Sequence, residues 1–161
     1  MKWEIHPIRS TVVLLFVLLL LPGCRSELFP KTLRVGPGIV QEVRSIGKVL
    51  LEKTDEDTWD GITTVTEILV IDVGSLRARE ALEKAGNLLR ERGWVISAQR
   101  LPDWVQMESG EWENVLLSIE GLEFYDSTEG LGPKERKAVN DPGGQVMSEG
   151  VVILKLSRTN E

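Results

Sequence analysis

The chemistry open to this chain is limited by two residues that occur once each. Its single histidine is His6 and its single cysteine is Cys24, both within the first 24 of 161 residues. If the segment before Cys24 is removed and Cys24 is itself modified, what remains has no imidazole and no free thiol. Ser-His-Asp and Cys-His catalysis then lack a base or a nucleophile. Zinc held by His or Cys is equally out of reach, and no disulfide can form. Carboxylates, Lys, Arg, Tyr125, hydroxyls and backbone groups remain.

Carboxylates are the most plentiful of these. Glu56 to Glu67 partly follows the spacing of an EF-hand calcium loop, with Asp60 and Gly61 at loop positions five and six and Glu67 at twelve. Position one is Glu56 rather than Asp, position three is Thr58, and a strand rather than a helix follows. Asp60 and Glu67 are therefore the residues a calcium ion would use, but the reading adopted is a solvated acidic turn. Glu108, Glu111 and Glu113 lie together in one segment, and Asp126 and Glu129 in another. No spacing fixes two of them as a general acid and base. Asp141-Pro142-Gly143-Gly144 is turn chemistry, and no phosphate-cradling glycine loop is present.

The aromatic residues suggest contact more than catalysis. Trp59, Trp94, Trp104 and Trp112 lie beyond Cys24. Trp94 follows a helix cap and is expected in the core. Trp104 and Trp112 flank the polar run Gln106–Glu111 and are the candidate ligand contacts, since an indole joins a large apolar area to one donor.

The beginning of the chain gives an address. Lys2 and Arg9 precede ten uncharged apolar residues, Val12 to Leu21. A membrane-spanning helix needs roughly 20, whereas ten suits the central region of a secretory signal. Leu21-Pro22-Gly23-Cys24 then resembles the lipobox of bacterial lipoproteins, with Leu21, Gly23 and Cys24 matching and Pro22 departing from the commonest choices. The resemblance implies that signal peptidase II recognises Leu21 and Gly23, cleaves before Cys24, and leaves Cys24 carrying a diacylglyceryl thioether and further acyl groups such as palmitate. Two or three acyl chains anchor stably where one does not. Arg25, in place of Asp, permits the outer membrane if the envelope is Gram-negative. Of 19 basic and 25 acidic residues, loss of Lys2, Arg9 and Glu4 leaves 17 and 24, a formal charge of −7. Such a domain repels phosphate backbones, so nucleic acid is not an expected partner. Its charge also opposes adhesion to anionic head groups, which leaves attachment to the lipid.

These residues need a scaffold. Residues 1–23 are expected as the signal, 24–38 as a lipidated N-terminus and tether, and 39–161 as one α/β domain. Ile39, Val43, Ile46 and Leu50 recur at helical spacing, though residues 39–52 could also form a strand. Thr63–Val73 reads as a central strand apolar on both faces. Ala78, Ala81, Leu82, Ala85, Leu88 and Leu89 form one face of a helix over about 76–92, capped by Ser75 and ended at Gly93. Strands are expected at 94–98, at 115–124 with a bulge near Gly121, and at 152–156, with a polar loop over 126–149. The fold class expected is α+β, a two-layer sandwich: a four-stranded, mostly antiparallel sheet with one principal helix on one face. The lipobox together with the helix ending in Arg92-Gly93-Trp94-Val95 resembles small uncharacterised lipoproteins of actinobacteria, which implies an extracytoplasmic domain. The expected function is a membrane-anchored, non-enzymatic binding module for an envelope protein or glycan, needing no cofactor. The alternative is a calcium- or carboxylate-dependent accessory enzyme.

Overall fold

Asp60 and Gly61 turn the chain back on itself. Both have positive φ, 50° and 73°, the pairing a two-residue type I′ hairpin turn requires, and Asp-Gly is among its preferred dipeptides. In this computed structural model, which describes residues 31–140 and 150–160, the turn joins β2 (Lys48–Trp59) to β3 (Ile62–Asp72) in an antiparallel hairpin. Preceding it are β1 (Lys31–Leu33) and α1 (Pro37–Arg44). After it come α2 (Ala78–Arg90), β4 (Trp94–Arg100), β5 (Trp104–Ser109), β6 (Val115–Gly121), α3 (Leu122–Thr128), α4 (Pro133–Val139) and β7 (Val151–Arg158). The signal segment, the lipobox Leu21–Cys24 and the turn Asp141–Gly144 lie outside the described residues.

The seven strands form one mixed sheet. β2 covers one edge of β3 along its whole length. β1, parallel, takes residues 62–64 of β3, and β7, antiparallel, takes 67–72. A strand has two edges, so β1 and β7 share the second one end to end. From β7 the sheet continues antiparallel through β6 and β5 to β4.

Helices cover both faces. Ala81, Leu82, Ala85 and Leu89 of α2 and Ile39, Val40 and Val43 of α1 pack on Leu69, Ile71, Leu117, Ile119, Leu154 and Leu156. The alternate residues Ile68, Val70, Val151 and Ile153 point the other way and meet Tyr125 of α3 and Val139 of α4. Each fully buried Leu or Ile side chain contributes about 1.5–3 kcal/mol by leaving water.

The four-stranded two-layer sandwich with one principal helix is therefore incorrect. The described residues hold seven strands and four helices, with layers on both faces. Three causes are visible. β2 is an edge strand whose outer half, residues 54–58, is polar and exposed before an exposed Trp59, so it carries no apolar alternation. β5 alternates only through Val105 and Met107, inside a polar run. Residues 122–139, expected as strand end and loop, form two seven-residue helices too short to display a period.

Other expectations shift less. Residues 31–38, expected in the tether, contribute β1 and the start of α1, with Leu33 and Val35 buried. Residues 39–52 are helix and then strand. The long helix starts at Ala78 with Arg77 at its cap and no side-chain capping bond, so Ser75 does not cap it. Gly93 does follow its end, with φ 89°. No helix among the described residues is long and apolar enough to cross a membrane.

Candidate functional site

Trp112 is positioned from two sides. The Ser109 hydroxyl accepts hydrogen bonds from the backbone N–H groups of Glu111 (3.1 Å) and Trp112 (2.8 Å), a serine turn that fixes the loop between β5 and β6. The inner face of its ring meets Trp94 at 6.5 Å between centroids, tilted by 55°. Trp94 is itself buried, and its indole N–H donates to Glu42 Oε1 of α1 at 2.8 Å. The Trp112 ring thus rests on a fixed platform and stays half-exposed at the rim.

Two clefts open beside it. One, of about 450 Å³, lies between this loop and the first turn of α1, with Arg34, Gly36 and Arg158 on its walls. The other, of about 340 Å³, lies on the far side of the loop against Gln106, Glu108 and Thr159. Arg34 is held by Glu67, Nε to Oε1 at 3.1 Å. Arg158 is exposed and makes no ion pair among the described residues. Glu108, Glu111 and Glu113 stand on the rims. The arrangement offers an indole face, a guanidinium, hydroxyls and several carboxylates to a ligand.

Trp104 does not join this site. It begins β5, opposite Arg100 and Glu120. Val105 and Met107 point into the core beneath α2, so Trp104 faces the other side of the sheet. Trp104 opens β5, whereas Trp112 lies in the loop beyond its other end.

Asp60 and Glu67 are also kept apart. Asp60 is at the hairpin tip, and Glu67 lies five strand residues past Ile62, about 16 Å at about 3.3 Å per residue. Calcium ligands must lie about 2.4 Å from one ion. Glu67 is nearly buried and already answers Arg34. Among the described residues no group of three or more His, Cys, Asp or Glu side chains could hold a metal.

A second polar constellation lies under α3 and α4. Tyr125 is buried between two lysines, Lys53 of β2 and Lys155 of β7, whose ammonium groups stand 5.9 and 5.7 Å from its ring centre. Lys53 also donates to the Tyr125 hydroxyl at 3.2 Å and pairs with Glu135. Lys155 pairs with Glu120 at 2.6 Å and with Glu129. Ser118 donates to Glu120 Oε1 at 3.1 Å, while Glu120 Oε2 is buried without a partner among the described residues. Burial pulls both lysines toward lower pKa, but hydrogen bonds to Glu135 and Tyr125 for Lys53, and to Glu120 and Glu129 for Lys155, outweigh it and raise both above 10.5. The Lys53 hydrogen bond holds the Glu135 carboxyl below its ordinary 4.5, against burial. A lysine held this firmly as ammonium is no nucleophile at neutral pH, and the Glu135 carboxylate bound to Lys53 is weakened as a base. The constellation clamps α3 and α4 to the sheet.

The sequence reading named Trp112 but missed Arg34 and Arg158, since isolated arginines beside turns carry no spacing signal. Lys155 and Glu120 did leave one: Lys155 stands between Leu154 and Leu156 of β7, and Glu120 follows Ile119 in β6, places where a charge needs a partner.

Compared with known proteins, the chain matches no family model, no curated protein and no solved structure.

Proposed function

We propose that this chain is an extracytoplasmic lipoprotein, anchored through acylated Cys24, whose folded domain binds an envelope component and does not catalyse a reaction. The observation that supports the binding role is Trp112, held on Trp94 between two clefts with Arg34 and Arg158 at hand. A rigid indole at the mouth of a cleft is the usual anchor of a contact surface. The anchor itself is supported by the short apolar run and Leu21-Pro22-Gly23-Cys24. The enzymatic alternative has less support: Glu120, Glu129 and Glu135 are bound to lysines, and no contact among the described residues pairs the rim residues Glu111 and Glu113 as acid and base.

The test uses the full chain in its native envelope with a photo-crosslinking residue at Glu113, beside Trp112, or at Glu80 on the exposed side of α2. A defined adduct from position 113, absent from position 80 and lost with Trp112→Ala, is the expected result. No adduct at 113, or one that survives Trp112→Ala, would overturn the site.

A further inference from the structure

We infer that the end of the sheet holding the β2–β3 turn lies against the phospholipid surface, with Trp59 in the membrane interface. The inference rests on the lipoprotein reading and adds an orientation to it.

The chain enters the fold at this end. The Lys31 N–H donates to Gly61 O of the turn at 2.9 Å, and the Lys31 ammonium donates to Asn160 Oδ1 at 2.6 Å. Lys31 is aligned with Ile62, and Ile62 with Trp59. Seven residue steps separate Cys24 from Lys31. At about 3.6 Å per step they reach at most about 25 Å. β3 alone, 11 residues long, measures about 36 Å at about 3.3 Å per residue. The tether is shorter than the sheet, so an acylated Cys24 holds this end nearest the bilayer.

The end is also built for an interface. Trp59 is 82% exposed, more than any other large apolar side chain among the described residues. It borders a cleft with Leu33 and Ile62 that also touches Arg158 and Thr159, residues that line the Trp112 clefts as well. Indoles concentrate where hydrocarbon meets head groups, apolar ring inward and N–H in the wet layer. Arg158 shares that cleft with Asp57, so the two signs offset each other. The contact therefore draws on the indole and the tether, not on net charge, and a ligand of the Trp112 clefts would be met at the lipid surface.

Acylated full-length protein is reconstituted into phosphatidylcholine vesicles whose acyl chains carry bromine, and tryptophan fluorescence is read. Bromine quenches indoles only at the membrane. The expected result is quenching that Trp59→Phe largely abolishes and Trp104→Phe leaves in place, unchanged when salt is raised or anionic lipid added. Quenching that Trp59→Phe does not reduce, in protein whose mass shows acylated Cys24, overturns the orientation alone. A mass showing unacylated Cys24 overturns the lipoprotein reading and this one with it.

Discussion

The strands β3, β6 and β7 present alternate residues to two different environments. Toward α1 and α2 they offer Leu69, Ile71, Leu117, Ile119, Leu154 and Leu156, and the helices answer with Ala, Leu, Ile and Val. Toward α3 and α4 the apolar patch is smaller, Ile68, Val70, Val151 and Ile153 against Tyr125 and Val139. Lys53, Lys155, Glu120, Glu129 and Glu135 join that side to the helices by ion pairs. One face is closed by matched volume, and the other by a small core with charges locked around a tyrosine. Each seven-residue helix presents about two turns and buries one large core side chain here, Tyr125 or Val139, where the eight-residue α1 buries three. The charges fasten what packing leaves short, and they make the second face sensitive to conditions the first does not register.

The largest effect is expected on the apolar face. Leu89 is fully buried on the inner side of α2, and Leu89→Ala removes its transfer energy and leaves a cavity, about 3–4 kcal/mol. Urea unfolding should show a lower midpoint with unchanged slope. A loss below about 1 kcal/mol would mean the face is less tightly packed than described.

The second face should respond to a substitution that leaves volume nearly unchanged. Lys155→Met keeps a long apolar side chain but leaves Glu120, 5% exposed, as a buried charge without its partner. Removing one member of a buried pair costs about 3–5 kcal/mol. With Lys155 one-fifth exposed and Ser118 still donating to Glu120, about 2 kcal/mol is expected here. The double variant Lys155→Met/Glu120→Leu should recover most of it, because the uncompensated charge goes too. If the double variant is as unstable as the sum of the two single ones, the pair is not coupled and the contrast between the faces fails.

This contrast explains what was legible beforehand. The helix over 78–90 and the central strand 62–72 were readable because a residue buried by volume must be apolar, and apolar residues at a fixed period leave a pattern. Ile68 to Ile71 even announced burial on both sides, which requires cover on both sides. The cover was unreadable because it is short, polar at its margins and fastened in part by Lys53 and Glu135, residue types that a sequence pattern assigns to solvent. The hairpin was half legible: Asp60-Gly61 reads as a turn, but the polar outer half of β2 before it carries no apolar alternation to mark a strand. For the site, Trp112 stood out by type, whereas its partners Arg34 and Arg158 come from β-strand ends about 120 residues apart in the chain, and only the sheet order brings them to one cleft.

The smallest expected effect is one of acidity, and it concerns only the charged face. Glu135 titrates lower in the folded chain than its ordinary 4.5 because Lys53 hydrogen-bonds its carboxylate. Between the folded and unfolded values the unfolded chain binds more protons, so stability rises with pH there. The contribution is fully present above about 4.5 and is lost as pH falls through the folded value. Lys53 and Lys155 work in the opposite direction: raised above 10.5, they stabilise below that pH, and their contribution disappears as pH climbs through the folded values. Lys53 is more than a third exposed, so solvent screening keeps the Glu135 effect small. Urea midpoints measured from pH 7 down to pH 3 should show Glu135→Gln less stable than the parent at neutrality, with the gap closing below pH 4.5. Leu89→Ala should keep a constant gap over the same range. A Glu135→Gln gap that does not change with pH would place the role of Glu135 in its shape and not in its charge, and would remove the electrostatic half of the contrast.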